Sequence, residues 1–147
     1  MVMDVTFSVP FVRGKGRARF VRATGRAYTP TATSDAMAQV QAAFLGTGAP
    51  KAPGGAPVSV SIRTERRLPK GRPGRVGGEP DVVRPDADNV AKLVLDALNG
   101  VAWEDDAQVT ALSVVKRDRT RRDCERTEVR VTWRGRGEGP RQTETEV

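Results

Sequence analysis

Histidine is absent from all 147 residues. Its absence removes a histidine general base, a Ser-His-Asp triad and any Cys/His zinc cluster. A single cysteine, Cys124, rules out an internal disulfide and suits a reducing compartment. Set in a charged run, it reads as incidental rather than reactive. Aromatic residues make up only 5% of the chain, so Val, Ala and Leu must fill most of the core. No apolar run approaches the roughly 18 residues that would span a membrane. Met1 to Pro10 has no charged segment followed by an apolar one and does not read as a signal peptide. Acid–base chemistry is left to carboxylates, lysine, tyrosine and metal-bound water.

What the chain does have is charge, unevenly placed. Its net charge is +7. Between Glu79 and Asp106, however, stand eight acids (Glu79, Asp81, Asp86, Asp88, Asp96, Glu104, Asp105, Asp106) against two bases, Arg84 and Lys92. Carboxylates packed together repel one another unless a cation lies between them. Hard divalent ions take oxygen ligands, with Mg²⁺ using one or two protein carboxylates beside water and phosphate. An acidic pocket in a basic body therefore suggests a metal site facing a polyanion. The basic balance fits nucleic acid better than a membrane surface, since no basic amphipathic helix is visible.

The acidic segment is organised by Arg84-Pro85-Asp86-Ala87-Asp88-Asn89-Val90-Ala91-Lys92 and its continuation. Pro85 disfavours helix at Arg84, so a helix can start just after it with Asp86 or Asp88 as N-cap, and Gly100 ends it. At 100° per residue Asp88, Asn89, Lys92, Asp96 and Asn99 share an arc of roughly 100°, and apolar residues fill the rest. The helix should be buried on most sides and present one narrow polar strip. A plainer reading makes Asp86 and Asp88 helix caps and Lys92 the i,i+4 partner of Asp88.

The run from Arg84 to Val109, with its Asp-Ala-Asp-Asn, the lysine four residues after the second aspartate, and Trp103-Glu-Asp-Asp106, resembles the signature of the RusA family of Holliday junction resolvases, small endonucleases common in phages and prophages. Lys15-Gly-Arg-Ala-Arg-Phe20 followed by Gly25-Arg-Ala-Tyr-Thr-Pro30 is similar to the family's N-terminal basic hairpin. The resemblance implies Asp86, Asp88 and Asp106 as metal-binding carboxylates and Lys92 as the essential lysine, and leaves the role of Asp105 open. It also implies Mg²⁺ as cofactor, with Mn²⁺ as a substitute, a homodimer, four-way DNA junctions as substrate in recombination and repair, no membrane association, and a location in the bacterial cytoplasm or a phage-infected cell.

Elsewhere Val5, Phe7 and Val9 alternate with polar residues as a half-buried strand stopped by Pro10. Arg13, Lys15, Arg17, Arg19, Arg22 and Arg26 follow, interleaved with Phe20 and Tyr28, a pattern that suits phosphate contact but also a solvated hairpin face. Thr33, Ser34 or Asp35 should cap a helix with Met37, Val40 and Phe44 as its apolar stripe, ended by Gly46 and Gly48. Lys51 to Pro57 reads as a linker, and Val58, Val60 and Ile62 as a second strand. Arg66 to Pro85 lacks periodicity and should form a mobile basic flap over the acidic site, with Arg67, Lys70 and Arg72 as DNA contacts. Val109 to Lys116 is apolar on both faces and reads as a central strand. After a third basic group (Lys116, Arg117, Arg119, Arg121, Arg122, Arg126), Val129, Val131 and Trp133 mark a last strand, its hairpin partner. Residues 135–147 read as a disordered tail beyond a domain of residues 1–134.

The order implies an α+β fold: a single compact domain, enough chain for a real core, with two main helices packed on one mixed β-sheet. The expected activity is a metal-dependent endodeoxyribonuclease acting on four-way junctions. The rivals are a metal nuclease for other branched or duplex DNA and a catalytically idle DNA-binding accessory protein.

Overall fold

Period-2 alternation builds three strands of the main sheet. A computed structural model describes residues 2–16, 19–21, 23–28, 30–122 and 124–135. In it β1 (Val2–Val9) buries Val5, Phe7 and Val9, β4 (Val58–Glu65) buries Val58, Val60 and Ile62, and β8 (Arg126–Arg134) buries Val129, Val131 and Trp133. Between them lie a small hairpin of β2 (Arg19–Val21) and β3 (Arg26–Tyr28), the helix α1 (Thr31–Leu45), a two-residue strand β5 (Gly78–Glu79), the helix α2 (Ala87–Leu98), β6 (Val109–Lys116) and the short β7 (Arg119–Thr120). Arg17 and residues 136–147 fall outside the described residues, as does the side chain of Arg19.

The sheet order is β1-β8-β4-β6. β8 is antiparallel to both β1 and β4, whereas β6 lies parallel to β4 from Val58↔Val109 to Thr64↔Lys116. Two expectations are corrected here. β6 is an edge strand rather than a central one, and β8 does not pair with it but inserts between β1 and β4. The both-face apolar pattern misled because β6 is only half covered. Val109 and Val114 pack against the core, while Leu112 and Val115 stay exposed on opposite faces.

Both helices pack on one face of this mixed sheet, giving the α+β domain. Phe44 of α1 meets Phe7 edge to face, with ring centroids 6.0 Å apart. Gln41 of α1 donates to the Ala97 carbonyl of α2 at 3.0 Å. α1 begins at Thr31, directly after Pro30, which stands in the N-cap position without a side-chain cap bond. None of the three expected caps serves, and Thr33 Oγ1 instead accepts from the Gly16 amide at 3.1 Å. α2 buries Val90, Ala91, Leu93, Val94, Ala97 and Leu98. Each of the larger of these contributes about 1.5–3 kcal/mol by burial, against tenths for helix propensity, so packing rather than propensity holds α2 in place.

Residues 66–85 are irregular, as expected of a flap, but are laced down. β5 pairs with β7, and Leu68 N donates to the Thr120 carbonyl at 2.9 Å. Arg121 reaches the carbonyls of Arg72, Pro73 and Val76, and Arg72 forks onto Glu79 at 2.7 and 2.9 Å.

Candidate active site

Asp86 stands at the N-cap of α2 with extended backbone (φ −69°, ψ 151°), and its carbonyl accepts from Asn89 N and Val90 N. Its side chain, however, makes no capping hydrogen bond. The carboxylate is exposed and, among the described residues, unengaged, although its position is a cap's. Asp88, in the first turn, is also exposed, and Lys92 Nζ lies 3.9 Å from its Oδ2, with the two side chains 63% and 72% exposed for Lys92 and Asp88 respectively. A pair so wet contributes only about 0.3–0.5 kcal/mol and ties down neither partner. Asp86, Asp88 and Lys92 thus share one open helix end.

The segment before the basic hairpin docks on this same helix. Lys15 N donates to the Asn89 carbonyl at 3.0 Å, and Lys15 Nζ is ion-paired with Asp96. The approach is close enough to require glycine next door. A Cβ on Gly14 would lie 2.8 Å from Asn89 Cβ and 3.1 Å from Pro85 Cβ. Of the cations expected to meet DNA here, Lys15 is thus engaged on α2, while Arg13 is exposed with its guanidinium carbon 4.8 Å from the Phe11 ring centroid.

The other end of α2 is built as a tight turn. Gly100, at φ +79°, donates to the Trp103 carbonyl, and Asn99 Oδ1 accepts from Asp106 N at 3.1 Å. Trp103 is fully buried, and its Nε1–H donates to Asp106 Oδ1 at 2.7 Å. Asp105 caps the following 3-10 turn (Asp106–Gln108) in a reciprocal box with Gln108, which accounts for the acid whose role was open. Gln108 in turn donates to the carbonyls of Pro53 and Ala56. Asn99 and Asp96 lie on the polar strip that the helical spacing predicts, but their partners, Asp106 and Lys15, carry no local signal in the sequence.

Asp106 is thereby fixed at the far end of the helix from Asp86 and Asp88. Asp88 and Asn99 are separated by roughly 16 Å along the axis at 1.5 Å per residue. Among the described residues no group of three acidic or cysteine side chains is close enough to hold a metal ion. One chain does not gather the three carboxylates.

The eight acids now divide. Glu79 is bound by Arg72, whose hydrogen bonds hold its carboxyl below the usual range. Asp81 is buried beside Arg66 and Arg119. Asp96 pairs with Lys15, Glu104 with Lys51 at 3.5 Å, and Asp105 caps. Asp86, Asp88 and one oxygen of Asp106 remain.

The basic groups divide likewise. Arg66, Arg72, Arg119 and Arg121 hold the flap, Arg117 and Arg126 pair with Glu65, and Lys116 donates to the Val83 carbonyl at 2.6 Å. Arg67 and Lys70 project into solvent with no ion pair among the described residues. No helix among the described residues is long and apolar enough to cross a membrane.

A family model described as endodeoxyribonuclease RusA matches residues 10–132, which takes in the hairpin, the flap and both ends of α2. No curated protein matches the chain.

Proposed function

The chain belongs to the RusA family of endodeoxyribonucleases, and from that premise we propose that it resolves four-way DNA junctions by divalent-metal-dependent phosphodiester hydrolysis, in recombination and repair within a bacterial cytoplasm or a phage-infected cell. The observation that carries the reading is the set left over. Among the described residues, the acids of this group with no partner outside the site are Asp86, Asp88, which meets only the exposed Lys92, and, through one oxygen, Asp106.

These residues fit Mg²⁺, or Mn²⁺ in its place. They offer oxygen donors alone, and the Asp86 carboxylate stands free at a position where a cap would ordinarily bind it. When bound, the ion supplies Lewis acidity and a water of lowered pKa. The chain's own side chains do the rest. Asp86 and Asp88 hold the ion, and Lys92 places positive charge beside them. As a water oxygen bonds to phosphorus and a P–O bond to deoxyribose breaks, Lys92 offsets the charge that develops on the phosphate oxygens. Arg13, Arg67 and Lys70 hold the DNA backbone, with Arg17 and Arg19 of the hairpin segment.

Two features support a homodimer. Among the described residues β6 leaves one backbone edge unpaired and exposes Leu112 and Val115, and Val82 and Val83 are exposed beside its end, where Lys116 holds the Val83 carbonyl. α2 packs against β6, with its C-terminal end at the turn that opens β6 and the segment leading into it held at Val83 by Lys116, at the other end of the strand, an arrangement that suits an antiparallel course of helix and strand. Antiparallel pairing of two β6 edges about a two-fold axis would set two α2 helices side by side in opposite directions. Asp106 of the second copy would then approach Asp86 and Asp88 of the first.

The test is a labelled synthetic four-way junction incubated with Mg²⁺ or EDTA, beside a flap substrate and a linear duplex. Paired nicks in the junction that require Mg²⁺ are expected. Equal cutting of duplex would make the protein a general nuclease, and tight binding without any cleavage would make it an accessory protein.

A further inference from the structure

Asp81 is the one acidic side chain among the described residues that is fully buried, at 0% exposure, and neither of its oxygens has a hydrogen-bond partner. A carboxylate withdrawn from water in this way is costly unless cations face it. Two do. Arg66 Nη1 lies 3.8 Å from Asp81 Oδ1, and Arg119 Nη1 lies 4.0 Å from it.

Each arginine also grips the chain elsewhere. Arg119 Nε donates to the Arg67 carbonyl at 2.9 Å. Arg66 donates from Nε to Glu125 at 3.2 Å and from Nη1 to the Arg84 carbonyl at 2.8 Å. Arg84 lies two residues before Asp86. The buried charge therefore sits where the end of β4, the return of the flap and the entry to α2 meet, and Arg66 spans from it to the backbone that delivers Asp86.

We propose that Asp81 is a positioning residue: by holding the guanidiniums of Arg66 and Arg119 it sets the backbone at Arg84, and with it the placement of the Asp86 carboxylate. The proposal rests on the reading of Asp86 as a metal-binding carboxylate. Asparagine at position 81 keeps the shape and removes the charge, leaving Arg119 without this counterion and Arg66 with Glu125 alone.

The test compares Asp81→Asn, Arg66→Lys and the double variant Asp81→Asn/Arg119→Gln with wild type. The readouts are amide hydrogen exchange by segment, junction affinity, and single-turnover cleavage of saturating junction. In Asp81→Asn, amides of residues 78–86 should exchange on the order of tenfold faster, with β1, β4 and β8 unchanged. Cleavage should fall on the order of tenfold at nearly unchanged affinity. The double variant restores charge balance and should recover part of both losses. Lysine at position 66 keeps the charge near Asp81, but its single ammonium cannot serve Glu125 and the Arg84 carbonyl together, so the same split is expected.

Wild-type exchange and rate in Asp81→Asn would overturn the proposal. So would exchange raised evenly across the whole sheet, which would mark a purely structural role. If Asp81→Asn does not fold, Arg66→Lys decides, and wild-type turnover there would overturn it. Absence of cleavage by the wild type would remove the functional reading alone, because the exchange contrast still reports whether Asp81 holds the entry to α2.

Discussion

The fully buried indole of Trp103 donates its Nε1–H to Asp106 Oδ1 at 2.7 Å, and the Asp106 amide is held in turn by Asn99. One carboxylate oxygen is fixed from inside the core, which orients the other. Trp103→Phe would keep most of the buried surface and lose the hydrogen bond. It should cost about 1–3 kcal/mol in thermal unfolding and slow cleavage on the order of tenfold. An unchanged single-turnover rate would show that the orientation of Asp106 does not matter to the reaction.

Lys92 separates chemistry from helix electrostatics. As a mere partner of Asp88, 3.9 Å away and exposed, it would contribute only about 0.3–0.5 kcal/mol, and Lys92→Ala would leave activity intact. As the cation beside the phosphate, its loss should lower the cleavage rate by a factor on the order of 100 or more, with folding and junction affinity nearly unchanged. Lys92→Arg keeps the charge on a longer, planar group and should rescue poorly. Near-normal turnover in Lys92→Ala would take Lys92 out of the site.

The flap carries a pH signature of defined sign. Hydrogen bonds from Arg72, then its charge, hold the Glu79 carboxyl below its ordinary value of 4.5. A depressed carboxyl contributes stability above the unfolded-state value and loses it as pH falls through the folded one. The Arg72–Glu79 fork should therefore be intact through the neutral range and open only in acid, below the ordinary glutamate value of 4.5. A carbon-detected NMR titration of Glu79 should give a midpoint below that of a free glutamate and move upward in Arg72→Gln. A Glu79 midpoint indifferent to Arg72 would break the link.

Much of this architecture was legible because burial writes a period into the chain. Val5/Phe7/Val9, Val58/Val60/Ile62 and Val129/Val131/Trp133 named three strands, and the narrow polar arc named α2. Sheet order was not legible, because alternation records which face is buried and not which strand lies alongside. β6 shows the limit: Leu112 and Val115 are apolar yet exposed in one chain, so its composition reads as central while its place is at the edge. The start of α1 was missed because Pro30 occupies the cap position without a capping side chain. At the candidate site, the resemblance to the RusA signature pointed to Asp86, Asp88, Lys92 and Asp106, but the charge count could not tell free acids from engaged ones. Lys15 with Asp96, and Arg72 with Glu79, are 81 and 7 residues apart in sequence, and the longer pairing leaves no local trace.

The separation of the carboxylates makes a sharp test of where the site is assembled. Asp88→Asn and Asp106→Asn should each abolish cleavage, while junction binding persists or tightens because a charge repelling the phosphates is gone. If the N-terminal end of one α2 works with Asp106 of a second copy, a heterodimer of the two variants has one site carrying both substitutions and one carrying neither. Random mixing by unfolding and refolding makes half of the dimers heterodimers, so about one quarter of wild-type sites should return. Because each heterodimer has a single working site, the products should be mostly singly nicked junctions rather than resolved duplexes. Native mass spectrometry establishes that mixing occurred, and gel analysis of the junction reads the outcome. Full mixing with no recovered cleavage would mean that each site draws all its carboxylates from one chain, and that the spacing along α2 is closed by movement within the subunit.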